Sequence, residues 1–212
     1  MSIILRRLAS FVVIGVAVAS GVAAEPPREA GSPGAPATQP GAAQPGKAEP
    51  EKLEPQQCGK IERMHALADV FLASQPAKGD FALVKECGVK TVLNLRPKDE
   101  LDWDEAEVVK SLGLEYVNVP FKSPEALTDE VFDATRKLLN DKEKRPILVH
   151  CSSANRVGAI WLAHRVLDGG KSYEDARKEA QTVGLKLPAL EAKAKDYIER
   201  MQKQSASPPK AQ

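Results

Sequence analysis

The chain has 212 residues, 42% hydrophobic and 28% charged, with a formal charge of +1. This suits one globular domain with appendages, and it lacks the basic excess on which nucleic-acid binding rests, so no nucleic-acid partner is expected. No internal repeat, zinc spacing, dinucleotide fingerprint or Walker loop is present, so neither metal nor cofactor is expected.

Residues 1–24 read as a targeting segment. Arg6 and Arg7 form a basic start, Leu8 to Ala19 an apolar stretch too short to span a bilayer comfortably, and Val22-Ala-Ala24 a small-residue cleavage site. The expectation is a Sec-type signal peptide and a periplasmic or secreted protein. Contact with a membrane is expected only through this segment, if it stays uncleaved. Residues 25–57 are rich in Pro, Ala and Gly and hold eight of the chain's 16 prolines. Such a composition buries too little surface to offset its ordering entropy and predicts a disordered tether.

A folded domain is expected over residues 58–203. Val70-Phe-Leu72 reads as a first strand and Ser74-Gln-Pro76 as a turn. Asp80 is placed to cap a short helix carrying Phe81, Leu83 and Val84, which Gly88 ends. Val89 to Leu95, rich in β-branched residues, reads as a strand that Pro97 stops. Asp102 to Leu112 reads as a helix and Leu114 to Val119 as the next strand. Thr128 opens a helix through Val131, Phe132, Thr135, Leu138 and Leu139, with Asp129 and Glu130 in its first turn. Ile147-Leu-Val149, behind a proline, reads as a buried strand, and from Val157 the apolar spacing becomes helical as far as Gly169-Gly170. Ser172-Tyr-Glu-Asp175 resembles a capping box before another helix. Pro188 starts a last helix, and residues 204–212 read as a disordered tail. Strands alternating with helices predict an α/β fold, a central mostly parallel sheet flanked by helices on both faces.

Between the Ile147 strand and the helix lies a loop of small polar residues, Cys151-Ser-Ser-Ala-Asn-Arg156. A strand, a tight loop and a helix start point several backbone N–H groups at one spot, which makes an anion site. Helix starts and nearby cations favour the thiolate form of a cysteine, and Arg156 offers a planar fork for a phosphate or sulfate. As this loop lies at the carboxyl end of a central strand, it stands where open α/β sheets place ligands.

The residues Val149-His150-Cys151 and Arg156 resemble the signature of cysteine-dependent protein tyrosine and dual-specificity phosphatases. With Thr91-Val-Leu-Asn-Leu-Arg-Pro97 and Asn155 to Trp161, residues 60 to 170 look closest to a bacterial beta-lactamase-hydrolase-like phosphatase group. The resemblance implies a dual-specificity-phosphatase-like fold and hydrolysis of a phosphomonoester through a phosphocysteine. Cys151 would be the nucleophile and Arg156 the phosphoryl clamp. Ser152, Ser153, Ala154, Asn155, His150 and Arg96 would surround a phosphorylated protein or small molecule. Four departures stand against a full match. The spacer between cysteine and arginine has four residues instead of five, Ala154 replaces a glycine, and Val157 replaces a hydroxyl residue. No aspartate stands in the expected place after Phe121, so Glu125 and Asp102 are the candidate general acids. The short spacer is also that of rhodanese-type sulfurtransferases, in which Cys151 would carry a persulfide. A non-catalytic module binding phosphate or a phospho-ligand is the third reading. Of the three cysteines, Cys151 is the expected free thiol, and Cys58 and Cys87 are a candidate disulfide.

Overall fold

The structure, a computed structural model, describes residues 52–206. The signal segment, most of the tether and the last six residues lie outside that range. Six strands form one sheet in the order β1-β2-β3-β6-β4-β5. These are β1 (Glu54–Pro55), β2 (Met64–Leu67), β3 (Val70–Ala73), β4 (Thr91–Asn94), β5 (Glu115–Asn118) and β6 (Ile147–His150). The last four run parallel, with Ala73, Asn94 and Asn118 aligned through the register beside His150 or its neighbour. β1 and β2 add an antiparallel margin. The sheet is therefore mostly parallel, as expected, but begins two strands earlier.

Six α-helices cover it: α1 (Asp80–Glu86), α2 (Glu105–Ser111), α3 (Asp129–Asn140), α4 (Asn155–Leu167), α5 (Tyr173–Val183) and α6 (Pro188–Ala206). The Ile-Leu-Val run of β6 is buried on both faces, and alternation divides it between two layers. Leu148 faces Phe81, Val84 and Val109 of α1 and α2. Ile147 and Val149 face the larger layer, built with Phe132, Ile160, Trp161, Ala180 and Tyr197 of α3 to α6. His150 and Cys151 continue the alternation. The His150 ring stands edge-on to Phe81 at 6.1 Å, whereas Cys151 belongs to the α4 layer.

Several boundaries move. Asp80 is the first residue of α1, behind Gly79; its carboxylate accepts from Ala77 N at 3.0 Å and Lys60 N at 3.2 Å. α2 starts three residues later than expected because Asp104 takes the cap, accepting from Glu107 N at 3.0 Å. Asp102 is thereby left in the preceding loop. Ser172 caps α5 as expected, accepting from Asp175 N at 3.2 Å. The domain is longer than the expected 58–203, since β1 pairs with β2 from within the expected tether and α6 continues to Ala206.

α4 carries the reactive loop at its start, and α5 crosses it closely at Gly158. A Cβ there would lie 2.7 Å from Leu185 Cβ and 2.8 Å from Ala180 O. Backbone cannot yield as a flexible side chain does. Gly158→Ala is therefore expected to cost about 1–3 kcal/mol, read as a lower urea midpoint with an unchanged slope.

Candidate active site

Cys151 follows β6 directly and is buried. Ser152 and Ser153 turn the chain, Ala154 stands at φ +65° as the helix cap, and Asn155 begins α4. From Ser152 onward, the first backbone N–H to find a backbone acceptor is that of Gly158, which donates to Ala154 O at 2.9 Å. The amides before it belong to the loop and the open first turn, where a helix leaves its N–H groups free. The loop is held from outside by its carbonyls. Ser152 O accepts from Gln75 N at 3.2 Å, and Ser153 O accepts from the Arg63 guanidinium at 3.1 Å. Carbonyls held outward leave the amides without a backbone acceptor. That is the arrangement of a phosphate cradle.

Arg156 lies in the first turn of α4. Its Nη1 donates to Glu100 Oε1 at 3.0 Å and Phe121 O at 2.9 Å, and its Nη2 donates to Glu100 Oε2 at 2.6 Å. A guanidinium has five N–H donors. These bonds leave the Nε–H and a second Nη2–H, which share one edge, for Cys151 and a bound oxyanion. The Cys151 side chain already interacts with Arg156. Glu100 thus fixes the orientation of the fork from behind. It also accepts from Arg96 Nε at 3.1 Å. The Arg156 hydrogen bonds and charge, with help from Arg96, hold the Glu100 carboxyl below its usual 4.5 despite partial burial.

His150 lies beneath the loop, with no exposed surface. Its Nε2 is 3.1 Å from Glu105 Oε1, itself buried. Neither atom has a well-aligned hydrogen bond, so the attraction is electrostatic first. Burial alone would raise the Glu105 carboxyl. The electrostatic attraction of His150, with the hydrogen bond from Gln75 and the charge of Arg96, instead holds it below its usual value. Asn155 fastens a neighbouring loop: its Oδ1 accepts from Lys186 N at 2.7 Å and Leu187 N at 3.1 Å.

A cleft of about 230 Å³ opens above the loop, lined by Ser152, Ser153, Asn155 and Arg156 below, and by Phe121, Lys122, Ser123, Pro124, Leu187 and Leu190 around. Cys151, Ala154 and His150, all buried, are not in that lining, and neither are three other expected site residues. Arg96 is braced behind it, its guanidinium donating to Glu100 and to Gln75 Oε1 at 2.7 Å. Glu125 lines a separate cavity between α3 and α6. Asp102 lines another beside Trp103 and Tyr116. Among the described residues, no carboxylate lines the cleft. Glu125 is moreover held below its usual value, by Ser123 first, and Glu100 by Arg156. Neither is suited to hold a proton at neutral pH for a leaving group.

The pairings of Glu100 with Arg156 and of Glu105 with His150 were not legible, because each spans a long stretch of chain. The available signal was the acidic run that follows Arg96-Pro97.

The Glu100 pair gives a pH prediction. Its pKa is depressed in the fold, so its stabilisation is complete above the unfolded value and disappears as pH falls through the folded one. Glu100→Gln is expected to cost about 1–3 kcal/mol at neutral pH. It should also flatten the loss of stability below about pH 4.5. Urea unfolding of both proteins at stepped pH checks this; parallel acid limbs would refute it.

A search of known families matches residues 54–201 to the model described as DSP-PTPase phosphatase fused to NAD+ Kinase. A beta-lactamase hydrolase-like protein of Agrobacterium fabrum (strain C58 / ATCC 33970) is 27% identical over 143 residues, 65% of this chain and 31% of that one. The chain thus spans about a third of that relative's length. Among solved structures, a putative phosphatase of Shewanella putrefaciens CN-32 superposes with a TM-score of 0.56 at 20% identity, covering 66% of this chain and 91% of its own. TpbA of P. aeruginosa in complex with pTyr superposes with a TM-score of 0.56 at 19% identity, covering 72% and 91%. These likenesses show the dual-specificity-phosphatase fold, and the family match carries more. The chain belongs to the family of DSP-PTPase phosphatases fused to NAD+ kinase, within the cysteine-dependent protein tyrosine and dual-specificity phosphatases.

Proposed function

We propose that this protein hydrolyses a phosphomonoester through Cys151. The carrying observation is that the buried Cys151, the loop amides that find no backbone acceptor and the Arg156 guanidinium, anchored on Glu100, stand together between the end of β6 and the first turn of α4. In the first step the Cys151 thiolate attacks phosphorus, an S–P bond forms, and the P–O bond to the leaving group breaks. Arg156 and the amides stabilise the charge on the equatorial oxygens. In the second step water attacks phosphorus, the S–P bond breaks, and phosphate leaves with the thiolate restored.

The absence of a carboxylate from the cleft's lining directs the substrate class. Without a proton donor, the leaving oxygen must depart as an anion, which favours aryl phosphates over alkyl ones. The apolar wall of Phe121, Pro124, Leu187 and Leu190 suits an aryl group. The phosphotyrosine bound to TpbA is a ligand of this class. We place the activity in a bacterial periplasm on the strength of residues 1–24, so intact mass of protein recovered from that compartment should start at Glu25.

The same absence supports a second reading, a module that binds a phospho-ligand without turning it over. Assays with a series of aryl phosphates separate the two. The enzyme reading expects kcat/KM to fall steeply as the leaving-group pKa rises. Cys151→Ser should abolish turnover while retaining competitive phosphate binding. Arg156→Lys keeps the charge but not the fork, and should lower kcat by roughly 10²-fold. Phosphate binding without turnover in the wild type would favour the binding module. Sulfur transfer from thiosulfate without phosphate release would overturn both.

A further inference from the structure

Across the sheet from the cleft the molecule holds a second pair of reactive groups. Cys58 precedes β2 and Cys87 caps the end of α1, and both are free thiols. Although 29 residues apart in sequence, their side chains meet, with the sulfurs at 2.6 Å. The backbone holds both ends of the contact. Cys58 is buried among Phe81, Val84 and Val89. Gly59, at φ +60°, passes so close to α1 that a Cβ would lie 2.5 Å from Asp80 Oδ1. On the other side, Cys87 N donates to Leu83 O at 2.8 Å and Gly88 N to Lys85 O at 2.9 Å. Cys87 is exposed, so a reagent reaches the pair from its side. Cys151 belongs to the opposite core layer, with the sheet between it and this pair.

We infer that Cys58 and Cys87 form an intramolecular disulfide on meeting a disulfide-bearing oxidant, clipping the chain's entry into the sheet onto α1 and leaving Cys151 a thiol. The exposed Cys87, as thiolate, attacks one sulfur of the oxidant's disulfide and displaces one thiolate. Cys58 then gives up its proton and attacks the Cys87 sulfur, forming the protein bond and expelling the second oxidant thiol. Two protein thiols are oxidised and one oxidant disulfide is reduced. Burial, and then the hydrogen bond and charge of Cys87, push the Cys58 thiol up to about 12. The mixed disulfide removes the Cys87 part of that effect, so the second step follows the first.

The loop so closed contains β2, β3 and α1. Closing it limits the unfolded chain, and the bond should raise the midpoint of thermal unfolding by roughly 5–12 °C. The test uses the full-length protein equilibrated with glutathione disulfide, then acid-quenched, unfolded, alkylated with iodoacetamide and digested. The expected product is a linked Cys58–Cys87 peptide pair, two hydrogens lighter than the free peptides, with Cys151 alone alkylated. Dithiothreitol should lower the melting temperature of this protein. Cys87→Ser, a change at an exposed position, should melt at the reduced value with or without reductant. Three alkylated cysteines, or Cys151 linked to either of the others, would overturn the pairing. A linked protein whose melting ignores dithiothreitol would overturn the clip.

Discussion

Four residues separate Cys151 from Arg156, and the site depends on the turn they make. A short spacer must bend sharply to bring a helix start back over the strand end. It does so at Ala154, at φ +65°, where an L residue costs about 1–2 kcal/mol. What accommodates that conformation is the space beside it. Gly184, at the end of α5, comes so near that a Cβ there would stand 2.8 Å from Ala154 Cβ and 3.2 Å from Ser153 O. The methyl of Ala154 fills the place the glycine leaves empty. The loop is thus held between α4, which grows out of it, and the end of α5, which closes underneath.

The charge network follows from the same geometry. An anion cradle concentrates positive potential, and its arginine must be held without being neutralised on every edge. Glu100 does this by binding Arg156 on the far edge while Arg96 holds Glu100 in turn. Glu105 plays the corresponding part for His150, with Gln75 donating to its Oε2 at 2.6 Å. Both carboxylates act on groups that flank Cys151, and neither lines the cleft. Their depressed pKa values make them fixed negative charges instead of proton donors.

Much of this was legible in the sequence. The β6 run, the loop and the amphipathic helices carry local signals, and each appears within a few residues of its expected place. What the sequence concealed has physical reasons. The β2–β3 hairpin turns at Ala68, at φ +51°, without the glycine or asparagine that usually marks such a turn. Strand β1 has two exposed residues, Glu54 and Pro55, and a proline-rich composition says nothing of pairing with His65 and Ala66. Asp102 looked like a helix start until Asp104, two residues on, took the cap. Arg96, expected beside the substrate, instead pairs with Glu100, while Asp99 binds Lys122 at 2.9 Å. The pairings of Asp99 with Lys122 and of Glu100 with Arg156 have no local signal, because the partners stand 23 and 56 positions apart.

The alternation of a strand explains how the two sides of the sheet serve one site. His150 and Cys151 are neighbours in sequence, so their side chains leave the strand on opposite faces. Cys151 enters the layer where α4 and Arg156 meet the cleft. His150 enters the other layer, where Phe81 of α1 and Glu105 of α2 fix its ring. The smaller layer therefore positions the loop from behind, through the backbone of a single residue. α1 is the link in that chain, for it carries Phe81 at one end and Cys87 at the other. Anything that holds α1 against the sheet also holds His150, and through it the strand end from which Cys151 projects.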